Sequence, residues 1–317
     1  MTVRLGILRL LDSLPVLVAE SLGLFSAEGL DVRVSVEPSW SNVADKLAFG
    51  ALDAAVMLPP LALAMAAGLR GPPVAVRVSV ALSEGGNSVV LAPAAAQAVG
   101  VAGTPADAAR RLGAWLRTQP ARRLAVVHAF STHALLLRDW LASGGVDPER
   151  DVTLVSIPPA EVVAALAAGR VAGFCAGAPW GDEAALSSAG TVLLGTGRIR
   201  PGHLEKCLAV SERWAAADPD GLAALVRALR GAGRSCDSGA DAAGYAGLLA
   251  GPPLHLPAAA TTAALGGERS ERPRFDVAES ESLERDMRWY AEQLRRWGWL
   301  DTPPDRLVSA VLAGEVV

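Results

Sequence analysis

Short apolar runs alternate with helix-length amphipathic stretches along most of this chain. Residues 3–8 predict a buried strand, 16–21 carry helical spacing into Leu22-Gly-Leu-Phe25, and 26–30 read as a turn. Residues 31–37 then alternate, with Val32, Val34 and Val36 on one face. Strand, helix and strand in that order make a right-handed crossover unit in a parallel sheet. After Ser39-Trp40, residues 43–51 place Val43, Leu47 and Ala51 on one side of a helix, and 53–58 return as a strand.

Residues 74–83 are again strand-like, and Gly85-Gly86 behind them suits a hinge or a close backbone approach. From Asn87 the pattern repeats in a second lobe. Helices are expected over 106–118, 132–143 and 160–168, strands over 123–128, 151–157 and 171–175, with Gly144-Gly145 closing the middle helix. This order predicts a second doubly wound α/β lobe. Residues 191–195 are expected to cross back. The remainder, from 201, reads as mainly helical after one strand at 207–210, with a long helix over 280–297 presenting Leu283, Met287, Tyr290, Leu294 and Trp297 near one face. The expected organisation is therefore 1–86 as lobe I, 87–194 as lobe II, and 195–317 as the second part of lobe I.

Composition sharpens this picture in three respects. A chain of 317 residues that is 51% hydrophobic and 20% charged has the balance of an ordered protein with two ordinary lobes. A net charge of -4 offers no basic field for nucleic acid. The first strand begins almost at Met1, without the positive and apolar regions of an export signal, so the expectation is a cytoplasmic protein. Three cysteines, Cys175, Cys207 and Cys236, show no CxxC spacing, which supports neither a disulfide framework nor a zinc site. Two of the 29 basic residues, Lys46 and Lys206, are lysines; in an arginine background a compact ammonium is worth locating.

Ligands of open α/β sheets sit in loops at the carboxyl ends of parallel strands. Trp40 stands in such a loop and offers one N–H on a rigid apolar plate, although a lone tryptophan equally serves as a core or surface anchor. His133 opens a helix whose free amides and positive end favour an anion; a surface histidine is the alternative. Gly177, in Cys175-Ala-Gly-Ala-Pro-Trp180, ends another strand where backbone could approach a ligand or simply turn. Lys206 precedes the expected strand at 207–210 and supplies a positive charge, either to an anion or to solvent. No nucleophile elbow, zinc-protease, Walker or dinucleotide motif competes, and Cys207 reads as an inert buried thiol.

Six segments in order, Ser39-Trp40 with its helix, Asp53-Ala-Ala-Val-Met-Leu-Pro-Pro60, Thr132-His133 with Asp139-Trp140-Leu141, Cys175 to Trp180, His203-Leu-Glu-Lys206 and Arg296-Trp-Gly-Trp-Leu300, resemble the nitrate and bicarbonate solute-binding proteins of ABC transporters. The resemblance implies a two-lobe type II periplasmic-binding-protein fold with a ligand cleft between lobes. It further implies that a planar anion is held by Trp40, Asn87, His133, Gly177 and Lys206. Asn87 enters through the resemblance alone, where the family carries a longer glutamine or a variable residue. Val56 stands where histidine is frequent and Ala178 where an acidic residue is common. Bicarbonate-binding members lack the lysine and recruit calcium, so Lys206 implies nitrate or nitrite without a metal or other cofactor.

The resemblance is nearest to the cytoplasmic nitrate/nitrite sensor branch of that family. It implies a protein that holds an ANTAR-type RNA-binding antiterminator until the anion binds, touching neither nucleic acid nor membrane itself. Two other readings use the same residues: a solute-binding component of a nitrate ABC transporter, and an enzyme on the same fold, which would need a larger cleft and a catalytic His or carboxylate.

Overall fold

The apolar runs form ten strands in the computed structural model, which describes residues 2–239, 241–267, 269–277 and 281–316. In chain order these are β1 (Thr2–Ile7), β2 (Asp31–Val36), β3 (Ala54–Met57), β4 (Val76–Glu84), β5 (Asn87–Leu91), β6 (Arg123–Val126), β7 (Thr153–Ser156), β8 (Gly173–Gly177), β9 (Thr191–Gly195) and β10 (Leu204–Ser211). One sheet has the order β2-β1-β3-β10-β4, the other β7-β6-β8-β5-β9. In each, three strands run parallel and the last two are antiparallel to their neighbours.

Strands β3, β5, β8 and β10 are buried along their whole length, as expected of sheets covered on both faces. Helix Pro59–Ala66, with the sequence PPLALAMA, is buried at every position and lies against the first sheet and the helices Glu281–Arg296 and Pro304–Ala313. The second core gathers Leu112, Leu124, Val126, Leu137, Trp140 and Cys175 around its sheet. Trp140 also satisfies its indole N–H on the Pro105 carbonyl at 2.7 Å.

The chain divides into two compact units, Met1–Glu84 with Leu204–His255 and Arg274–Val317, and Gly85–His203 with Leu256–Pro273. The expected breaks at 86/87 and 194/195 shift for a physical reason. Residues 191–195, expected as a return crossing, are instead edge strand β9, paired antiparallel with β5, so the chain leaves the second unit only after His203. Residues 256–273, expected in lobe I, return to the second unit. There the Ala-rich helix Ala258–Gly266 packs on helix Trp180–Leu186, and the Gly197 amide donates to Glu271 at 2.6 Å. The long C-terminal helix is described from Glu281 to Arg296; residue 280 of its expected span lies outside the described residues. Among the described residues no helix is long and apolar enough to cross a membrane.

Candidate functional site

In the first unit, polar groups collect where β1, β2 and β3 end and β10 begins. Ser39 caps helix Trp40–Ala48, its Oγ accepting the Asn42 amide at 3.2 Å, which sets Trp40 in the first helical position. Trp40 is buried, and its indole N–H has no acceptor among the described residues. The Lys206 Nζ lies 5.5 Å from the Trp40 ring centroid, within range of cation–π attraction.

Lys206 is fully buried and already paired. Its Nζ donates to Glu205 Oε1 at 2.6 Å and lies 2.9 Å from Asp12 Oδ2. Asp12 belongs to the single turn Leu11–Ser13 behind β1, and its other carboxylate oxygen accepts from Ser83 Oγ on β4 at 3.0 Å. Adjacent residues of a regular strand face opposite sides of the sheet. Here the ladder is irregular: Leu204 pairs with Glu84 and Lys206 with Ser83, leaving Glu205 as the extra residue of a bulge. Burial pushes the lysine pKa down, but the Asp12 and Glu205 carboxylates outweigh it and hold the pKa above the ordinary lysine range. The side chain is therefore an ammonium with three donors, of which two have acceptors.

The second unit carries its own cluster at the corresponding edge of its sheet. Asn87, which opens β5, pairs across the ladder with Gly177, which closes β8, and the next amide, Ala178, donates to the Gly86 carbonyl at 2.9 Å. His133 is buried in the first turn of helix Thr132–Ser143, behind β6, with its Nδ1 3.3 Å from Thr132 Oγ1. Ser131 caps that helix through the Ala134 amide at 3.0 Å and donates to the His128 carbonyl at 2.7 Å, so the loop is held from both sides. Close by in sequence, buried Asp182 accepts from Ser270, and burial raises its pKa against the lowering effect of that bond.

Of the five residues marked from sequence, Trp40 and Lys206 meet in the first unit, and Asn87 and Gly177 are direct sheet partners in the second, with His133 at the end of the strand beside β8. Lys206 lies inside β10 rather than before it, and no solvent reaches it. Asp12, Ser83 and Glu205 were not expected. Glu205 could have been suspected from its place beside one of only two lysines; Asp12 and Ser83 give no local signal. Val56 supplies no polar group, and Cys207, buried opposite Met57, has its thiol pushed well up by burial.

Residues 1–250 match the model of the NMT1-like family. The chain is 33% identical over 316 residues to the nitrate import ATP-binding protein NrtC of Synechocystis, a span of 94% of this chain and 46% of that protein. It is 31% identical over 252 residues to the nitrate/nitrite binding protein NrtA of Synechococcus elongatus, covering 75% of this chain and 56% of that one. The chain thus spans about half the length of the curated relatives it matches. Among solved structures, the periplasmic nitrate-binding protein NrtA from Synechocystis superposes with a TM-score of 0.91 at 24% identity, over 98% of this chain and 85% of that one. The alkanesulfonate-binding protein SsuA from Xanthomonas axonopodis also superposes, with a TM-score of 0.73 at 20% identity, over 98% of this chain and 97% of that one. The fold is that of the periplasmic binding proteins.

Proposed function

This chain belongs to the NMT1-like family, and from that premise we propose that it is a nitrate- or nitrite-binding protein, with Trp40 and Lys206 as anion contacts of the first unit; Asn87, His133 and Gly177 are the candidate contacts of the second. The observation that carries the reading is a buried indole N–H that lacks an acceptor among the described residues, with a buried ammonium 5.5 Å from the ring, two of whose three protons have acceptors there. A neutral indole donor and a charged ammonium donor beside one apolar plate suit a small planar anion. Relatives named for nitrate import and nitrate/nitrite binding support the same class of ligand. The reading is of a binding protein and not an enzyme: its relatives are named for binding or transport, and the one thiol beside the cluster is held protonated by burial.

Isothermal titration of the full chain with nitrate and with nitrite tests this. Heat with at least one anion is expected, and Trp40→Phe, which keeps the plate but loses the N–H, should weaken binding about fivefold to tenfold, the effect of one hydrogen bond of roughly 1 kcal/mol. No heat with either anion from folded protein would sink the proposal.

The finer reading is a cytoplasmic sensor that holds an ANTAR-type antiterminator and releases it when the anion binds. Relatives named for nitrate import support the second reading, a solute-binding component of a nitrate transporter. Release of a co-purified antiterminator by nitrate supports the sensor; a complex indifferent to nitrate and nitrite leaves the transporter component as the better reading, because a ligand shifts only an equilibrium whose states it distinguishes.

A further inference from the structure

We propose that Asp12, acting through Lys206, sets the charge selectivity of the anion cluster, so that it accepts monoanions of the nitrate class and refuses dianions such as sulfate. The inference rests on the reading that Trp40 and Lys206 touch an anion. One ammonium stands between two carboxylates, 2.6 Å from Glu205 and 2.9 Å from Asp12, with all three side chains buried. An arriving anion is drawn to the ammonium and repelled by both acids, so little net attraction is left for charge alone to recruit it. For a dianion attraction and repulsion both double, while the cost of leaving water grows faster than the charge. A weakly hydrated monoanion that needs only the third ammonium proton, the indole N–H and an apolar plate is favoured over a strongly hydrated dianion.

Asp12 is fixed for this role. Its second oxygen takes a hydrogen bond from Ser83 Oγ at 3.0 Å, and it sits in a single tight turn behind β1, so it cannot swing away to free the ammonium when a larger charge arrives. It reaches the anion only through Lys206 and is thus a positioning residue.

Titrations with nitrate and with sulfate, on the full chain and on Asp12→Asn, test the inference. The amide keeps the side chain's shape and an oxygen acceptor but removes one negative charge. Nitrate should bind Asp12→Asn at least tenfold more tightly, about 1.4 kcal/mol, and sulfate should become measurable. A purely structural role predicts the opposite, weaker binding of every anion. Nitrate affinity that falls or stays level in Asp12→Asn overturns the inference and leaves the nitrate reading standing. If that variant does not fold, Asp12→Ser is titrated in its place with the same gain in nitrate affinity expected and a fall or no change overturning the inference; wild type that binds sulfate within tenfold of nitrate overturns it as well. Wild type that binds neither nitrate nor nitrite overturns the underlying reading, and this inference with it.

Discussion

At the scale of single residues, Lys206 is both a proposed ligand contact and a structural counter-charge. Truncation to Lys206→Ala would leave Asp12 and Glu205 buried without their shared ammonium, a loss that typically costs about 3–5 kcal/mol. Denaturant unfolding should show that loss, and the variant is therefore a poor probe of binding beside Trp40→Phe. The pH dependence follows from the direction of the shift. A lysine whose folded pKa is raised contributes its stability in full below the unfolded value of 10.5 and loses it as pH rises through the folded pKa. Stability owed to Lys206 should be level across neutral pH and decline only in strong alkali; an unfolding midpoint in Lys206→Ala equal to wild type at pH 7 contradicts this account. Lys206 was legible in the sequence because lysine is scarce here and this one adjoins a strand. Its pairing with Asp12 was not, since a contact between a turn near residue 12 and a strand near residue 206 leaves no local periodicity.

Whole elements were legible where an apolar run is long enough to show helical spacing. Helix Thr132–Ser143 stands where it was expected, whereas the helix expected over 43–51 runs Trp40–Ala48, three residues earlier, because Ser39 caps it through the Asn42 amide; Ala51 lies beyond its end and is exposed. Strand β5 was missed and β9 was read as a crossing, because pairing is a property of partners distant in sequence. Short buried runs such as Asn87-Ser-Val-Val-Leu91 carry no alternation to mark them. Gly144, read as a helix stop, has a second duty: a methyl placed on it would lie 2.5 Å from the Arg110 amide nitrogen and 2.8 Å from the Ala106 carbonyl oxygen. The end of helix Thr132–Ser143 thus presses on the backbone of helix Pro105–Leu116, and neither rigid helix can yield as a side-chain tip would. Gly144→Ala should cost about 1–3 kcal/mol, the usual range for overpacking. A thermal midpoint unchanged from wild type would show that the two helices separate at little cost.

Across the molecule, the family match ends at residue 250, yet a helix beyond it governs the start of β10. The Asp286 carboxylate accepts the Leu204 amide at 3.0 Å and the Tyr290 hydroxyl donates to the Leu204 carbonyl, so both backbone groups of the residue before the Glu205 bulge are held by one buried helix face. A bulge is a local departure from the ladder, and without outside support its residues can slip back toward regular pairing. The C-terminal helix therefore helps keep Glu205 and Lys206 aimed at a common centre, a role invisible to sequence because Tyr290 shows only as a core position of an amphipathic helix. Tyr290→Phe removes the clamp on the carbonyl and little else. It should lower stability by about 1 kcal/mol, the net value of one hydrogen bond, and weaken nitrate binding severalfold through misdirection of Lys206. The preference for nitrate over sulfate should persist, since the charges of Asp12, Glu205 and Lys206 are untouched. Titration of Tyr290→Phe with both anions checks this. Unaltered nitrate affinity would mean that β10 holds its bulge without the helix, and a lost preference would mean that geometry, not charge, makes the selection.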